Sequence, residues 1–278
     1  MTILWANSQW LDARDFAVSP ADRGISLGLG LFETILAVDG TPVFVERHLA
    51  RLRAGCARLG WQPELPEGPK IMRELLQWNH LTTGRAKIRL AITGGSGPLH
   101  ELALGPDHQL WMTAAAVADA PLTTTASLSP WVRNERSPLA GLKCAAYAEN
   151  LLALEHAAQL GFEQCVLLNS RGQLCEAATA NLFVVKHGQL LTPALASGCL
   201  PGITRGVVIE LAAQLGLPCT QGELTLPDLL DSDEWFLTSA IRGPVGGSRL
   251  EQRDFPPGPL THLLREAWQA AIQRQPGC

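Results

Sequence analysis

Apolar positions along this chain recur in two periods that replace one another several times. Across residues 45–61, Leu49, Leu52, Cys56 and Leu59 fall three or four apart, which predicts a helix with one core face. Helices are also predicted over 69–79, 145–160, 207–215, 227–230 and 259–273. In the 145–160 helix the apolar face reads as Leu151, Leu152, Leu154 and Ala158. Short apolar runs bounded by turn residues predict a hairpin from 3–7 and 10–12, and a buried strand running on from SLGLGLFETILAV. Further strands are predicted over 85–93, 109–116, 165–168, 174–185, 190–192 and 233–238. Turns fall at Asp22-Arg23-Gly24, Val38-Asp39-Gly40-Thr41, Asn169-Ser170-Arg171-Gly172 and Gly246-Gly247. The glycine-rich stretch 94–98 reads as a flexible loop, either cover for a site or a hairpin turn. Weak periodicity at 118–125 predicts a linker between an N-terminal domain (1–117) and a larger C-terminal one (126–278).

Composition narrows this picture. With 278 residues, 46% hydrophobic and 17% charged, the chain can bury substantial cores. A net charge of −4 without a basic block points away from nucleic acid and anionic membranes. The N-terminus lacks a signal-peptide pattern, and no apolar run is long enough for a membrane span. Seven cysteines form no CxxC pair, which fits a reducing cytoplasm better than disulfides or a metal site. Cys144 reads as an ordinary buried thiol.

Within 139–183, Lys143 follows Ala140-Gly141-Leu142, and Glu176 interrupts a strand where an apolar residue would otherwise fit. One lysine amine able to form a Schiff base, and one carboxylate able to keep a pyridine nitrogen protonated, are what pyridoxal phosphate chemistry requires. Glu33 and Thr34 are polar oddities in an apolar strand, and His48 and Arg51 lie one helical turn apart. Taken alone, Arg51 is a solvated arginine or a ligand-binding one. Gly202, Ile203 and Thr204 begin a helix whose free N–H groups suit an anion, or form a simple Thr N-cap. Ser239-Ala240 ends a strand where backbone donors could meet a phosphate.

Six segments in order, DRGISLGLGLFET (22–34), ERHLARL (46–52), LAGLK (139–143), GQLCEAATANLFVV (172–185), LPGITRG (200–206) and DEWFLTS (233–239), resemble the fold-type IV, or class IV aminotransferase, family of pyridoxal-phosphate enzymes. The resemblance implies an α/β (mixed α+β) two-domain fold, with a small N-terminal α/β domain and a larger barrel-like C-terminal domain, assembled as a homodimer. It implies pyridoxal 5'-phosphate on Lys143, which also moves protons as the catalytic residue, with Glu176 at the pyridine nitrogen. Arg51, Ile203, Thr204, Ser239 and Ala240 are implied as phosphate ligands. Tyr147, four residues after Lys143, is either a ligand of the cofactor's hydroxyl region or an ordinary half-buried aromatic. Phe32, Thr34, Arg89 and Arg242 are candidate substrate residues, and Arg242 is the preferred carboxylate binder.

LAGLK followed by YAENLL (147–152), and FET at 32–34 without the tyrosine of many aminotransferases, look most like aminodeoxychorismate lyases. That implies elimination of pyruvate from 4-amino-4-deoxychorismate to give p-aminobenzoate for folate synthesis. The arginine-bearing loop of those lyases is replaced here by the cation-poor 94–101. The alternative is an aminotransferase of branched-chain, D-amino acid or (R)-amine type, and a minor one is a non-catalytic binding protein on the same fold.

Overall fold

A computed structural model describes residues 2–256 and 258–275, and the statements below concern those residues. Their contacts divide into two units. The first comprises the chain up to Asp119 together with Leu142–Ala146, and the second Ala120–Gly141 with Tyr147–Gln273. The first boundary between them lies at Asp119 and Ala120, and the stretch from Thr123 already belongs to a strand.

The first unit contains β1 (Ile3–Ala6), β2 (Gln9–Asp12), α1 (Arg23–Ser26), β3 (Gly30–Val38), β4 (Thr41–Pro42), α2 (Val45–Arg58), α3 (Gly68–Trp78), β5 (Arg85–Thr93) and β6 (Leu110–Ala116). Its strands form an antiparallel sheet in the order β2-β1-β6-β5-β3-β4. Alternation decides which face is covered. Ala86, Ile88, Leu90 and Ile92 of β5 are buried with Leu31 and Ile35 of β3, against Leu49, Leu52 and Cys56 of α2 and Met72, Leu75 and Leu76 of α3. The β3–β4 turn places Asp39 and Gly40 at φ 46° and 76°, the paired left-handed geometry that joins tightly twisted strands.

Asp22-Arg23-Gly24 is a helical start rather than a plain turn. Asp22 caps α1 through the Gly24 N–H and accepts from the Thr93 hydroxyl. Arg23 is 3% exposed and donates to the carbonyls of Gly94, Gly95, Glu101 and Ala103. Gly94 and Gly95 of the loop expected at 94–98 are therefore tied to a buried guanidinium, as are Glu101 and Ala103 beyond it.

The second unit contains β7 (Thr123–Leu128), α4 (Ala148–Gln159), β8 (Gln164–Leu168), β9 (Leu174–Ala177), β10 (Asn181–Lys186), β11 (Gln189–Pro193), α5 (Ile203–Gln214), β12 (Cys219–Gly222), α6 (Leu226–Leu230), β13 (Glu234–Ser239), β14 (Gly243–Leu250), β15 (Arg253–Asp254) and α7 (Pro259–Gln273). Its mixed sheet runs β12-β11-β10-β13-β14-β7-β8-β9, with β15 beside β14. The sheet curls far enough for β9 to lie against β10 and β11, as in a half-barrel. Strand β10 reads as a continuous apolar run because both faces are covered. Leu182 and Val184 enter the core with Trp235 and Leu237, whereas Phe183 and Val185 pack under Val208 of α5 and Leu264 of α7. Phe183 and Phe236, directly opposed, stack at 4.8 Å.

Four expectations need correction. The predicted 174–185 strand is two strands, because the chain turns at Ala177–Ala180. The helix expected from 145 starts at Ala148 and buries Asn150, Ala153 and Ala157, small side chains that approach β8 closely. That rotation leaves Leu151, Leu152 and Ala158 exposed, with Leu154 partly buried. Gly246-Gly247 is no turn but the middle of β14. A Cβ on Gly247 would stand 1.9 Å from the Trp235 ring, so the glycine makes room for that indole. The 207–215 helix begins at Ile203, with Gly202 as its N-cap. The six described cysteines are free thiols, Cys144 is half-buried, and Cys278 lies outside the described residues. No described helix is long and apolar enough to cross a membrane.

Candidate active site

Lys143 does not stand on a helix. Its segment runs beside β3: the Phe32 N–H donates to the Lys143 carbonyl at 3.0 Å, the Ala145 N–H donates to the Gly30 carbonyl at 2.8 Å, and Leu31 bridges Cys144. Extended backbone sends alternate side chains to opposite faces, so these bonds decide where the amine goes. Lys143 Nζ lies 4.3 Å from the centroid of the Phe32 ring, and the Arg89 guanidinium carbon lies 4.0 Å from the same centroid. The two cations are thus within about 8 Å of one another, each attracted by the ring's negative face. Thr34 shares that face of β3 with Phe32 and is the cross-strand partner of Arg89. Of the substrate candidates, Phe32 thus lies between the lysine and Arg89, with Thr34 beside Arg89 on the same face.

The opposite face of β3 carries Glu33, whose side chain is 1% exposed. Arg51 reaches it from α2 through Nε (2.8 Å to Oε1) and Nη2 (2.6 Å to Oε2), and His48 Nδ1 lies 2.7 Å from Oε2. Burial pushes the Glu33 carboxyl up, but the hydrogen bonds from Arg51 and His48 outweigh it and bring it down to about 2. Burial holds the His48 imidazole below its usual value against the pull of Glu33, with the nearby charges of Arg51 and Lys143 adding to the depression. A neutral imidazole donating to an ionised carboxylate satisfies both shifts. The sequence marked Glu33, His48 and Arg51 separately; nothing in it showed that they meet.

In the second unit, Glu176 on β9 is 8% exposed, and its Oε2 accepts from the Leu200 N–H at 2.9 Å. Arg133 Nε lies 3.4 Å from Glu176 Oε1, and Arg133 Nη1 donates to Glu149 at 3.0 Å. Arg133 escaped the sequence reading because it sits in an irregular stretch without periodicity. Tyr147 stands just before α4 rather than one helical turn beyond Lys143, and its hydroxyl donates to the Ala178 carbonyl at 3.4 Å.

The two suspected anion-binding segments prove to be neighbours. The Thr204 hydroxyl donates to the Ser239 carbonyl at 3.0 Å, so the start of α5 is tied to the end of β13 where Ala240 follows. Gly202 offers no capping side chain, and a Cβ there would stand 1.9 Å from Asn181 Oδ1. The N–H groups of Ile203 and Thr204 open the first turn of a twelve-residue helix, where the dipole favours an anion. The Arg242 N–H donates to the Ser239 hydroxyl at 3.3 Å, and its side chain is exposed. The first unit thus offers an amine and an arginine, and the second a buried carboxylate and a helix N-terminus, residue types that suit pyridoxal phosphate.

Known proteins agree. The profile of the family described as "Amino-transferase class IV" matches residues 30–249. A Methanocaldococcus jannaschii protein provisionally named branched-chain-amino-acid aminotransferase is 32% identical over 96% of this chain and 95% of its own length. The aminodeoxychorismate lyase of Bacillus subtilis is 25% identical over 91% of this chain and 88% of its own. A solved Legionella pneumophila protein, provisionally named 4-amino-4-deoxychorismate lyase, superposes with a TM-score of 0.88 at 26% identity, covering 94% of this chain and 97% of that one. The architecture, the lysine-bearing segment and the family match lead to one assignment: this chain belongs to the class IV aminotransferase family and is a pyridoxal-phosphate-dependent enzyme.

Proposed function

We propose that the enzyme is a lyase that removes pyruvate from 4-amino-4-deoxychorismate, leaving p-aminobenzoate. When bound, the cofactor supplies an electron sink for negative charge at the carbon bearing the substrate's amino group. Lys143 takes the proton from that carbon, and its amine is held over Phe32 for that task. Glu176 would keep a proton on the pyridine nitrogen; Arg51, Ile203, Thr204, Ser239 and Ala240 would hold the phosphate, and Tyr147 would serve the ring hydroxyl. The observation that carries the lyase reading is the pairing of Thr34 with Arg89 on the face of β3 that presents Phe32 to Lys143. A hydroxyl beside a cation suits a departing enolpyruvate, whose ether oxygen gains charge and whose carboxylate needs a partner. Phe32 brings no competing hydroxyl. Arg242 is a second carboxylate partner in this reading.

The aminotransferase reading rests on the 32% identity to the Methanocaldococcus jannaschii protein. The test is release of pyruvate together with p-aminobenzoate from enzymatically generated aminodeoxychorismate by protein loaded with its cofactor. Equal amounts of both products over many turnovers, lost in Lys143→Ala along with the visible cofactor band, are expected. Loaded protein that releases neither, but exchanges amino groups between D- or L-amino acids and oxo acids, would establish the aminotransferase instead.

A homodimer belongs to the same proposal. Trp131, Val132, Leu151 and Leu152 are all exposed on the second unit, and Trp131 meets His156 of α4, one helical turn from Leu152, edge-on at 5.7 Å. A second copy covering them accounts for leucines on the outer side of α4.

A further inference from the structure

Glu33 lies on the face of β3 away from Phe32, and neither the lysine chemistry nor the substrate reading uses it. Burying a carboxylate to 1% exposure is costly, and here three donors meet it: Arg51 Nε, Arg51 Nη2 and His48 Nδ1, at 2.8, 2.6 and 2.7 Å. The arrangement is bidentate on one partner and closed by the other. His48 and Arg51 project from the same side of α2, so the helix delivers both donors to one strand residue.

We infer that Glu33 and His48 are positioning residues for Arg51, holding its guanidinium in place for the cofactor's phosphate. The inference rests on the reading of Arg51 as a phosphate ligand. An arginine side chain has several rotatable bonds, and freezing them on binding weakens an anion contact. Glu33 holds Nε and Nη2 and so freezes the side chain and the plane of its guanidinium beforehand. The pairing has an opposite consequence to weigh, because an adjacent carboxylate partly neutralises the arginine's charge. If charge dominated, removing Glu33 would strengthen phosphate binding; if positioning dominates, removing it weakens binding. His48 settles the carboxylate's orientation, since its bond to Oε2 stops the carboxylate from swinging away from the guanidinium edge.

The measurement is the ratio of dissociation constants for pyridoxal and pyridoxal 5'-phosphate, which isolates the contribution of the phosphate. Full-length protein is compared with Glu33→Gln, Arg51→Ala and the double variant. Glu33→Gln places an amide nitrogen toward Arg51 or His48 and so breaks the bidentate bond while keeping size. The expected result is a fall of tenfold or more in the preference for the phosphorylated form, with affinity for pyridoxal unchanged. Arg51→Ala should lower the preference at least as much, and the double variant no further than Arg51→Ala. If Arg51→Ala leaves the preference intact, the phosphate role of Arg51 fails. If Arg51→Ala lowers it while Glu33→Gln leaves it unchanged or raises it, the positioning role fails and Arg51 stands. Glu33→Asp keeps the charge but draws the carboxylate back by one methylene. It serves the same comparison should Glu33→Gln not fold, and an undiminished preference in folded Glu33→Asp overturns the inference.

Discussion

Glu33 and His48 tie stability to pH in a direction fixed by their shifts. The unfolded chain binds a proton at His48 near its ordinary value of about 6.5, whereas the folded protein resists protonation there. Stability is therefore greatest above that value and falls as pH drops through it. The Glu33 contribution has its own window: present above its ordinary carboxylate value, it is lost as pH falls toward about 2. The urea midpoint of the wild type should decline between roughly pH 7 and pH 5, and His48→Gln should show a shallower decline over that interval. Equal slopes would mean that His48 is protonated in the folded protein. At this scale the sequence was informative about residue types and blind to partners. Glu176 stood out because a charge in an apolar strand is visible in one dimension, whereas Arg51, on a helix rich in charges, gained its role only from the family resemblance. Arg133, beside Glu176, and the meeting of His48 with Glu33 depend on long-range placement that no local spacing encodes.

Among the elements, strands with strict alternation were legible to within a residue, as with β5, because one covered face imposes period two. The misread elements all involve small residues. In α4 the leucines suggested one buried face, but Ala153 and Ala157 are what close packing on β8 admits. The glycine pair in β14 suggested a turn, yet Gly247 is required by the face of Trp235 rather than by backbone geometry. Gly247→Ala should therefore destabilise the protein by about 2–4 kcal/mol, because the new methyl must displace a fully buried indole. Chemical denaturation followed by Trp fluorescence tests this; a loss below about 0.5 kcal/mol would show that Trp235 can move aside. Gly246, whose Cβ would meet its nearest neighbour at 3.5 Å, is the matched control.

For the whole molecule, six ordered motifs carried the family and a two-domain plan, whereas the reaction stayed open because lyase and aminotransferase share their lysine, acid and phosphate ligands. Assembly is the property most exposed to direct test. If the apolar area around Trp131, Leu151 and Leu152 is covered by a second copy, Leu151→Glu with Leu152→Glu should shift sedimentation from dimer to monomer without unfolding the chain. An unchanged dimer would place the interface elsewhere. The Lys143 segment has a consequence of a different kind. Chain on both sides of Leu142–Ala146 belongs to the second unit, yet this stretch is registered against β3 through Gly30, Leu31 and Phe32. The Lys143 amine is accordingly a graft, and its reading frame is set by the host strand, not by the stems that carry it. Residues added to the exposed stem around Arg136 would lengthen the tether and leave the amine over Phe32. A single residue inserted between Lys143 and Cys144, with Cys144 and Ala145 still registered on Leu31 and Gly30, would shift the lysine by one and turn the amine to the far side of the strand.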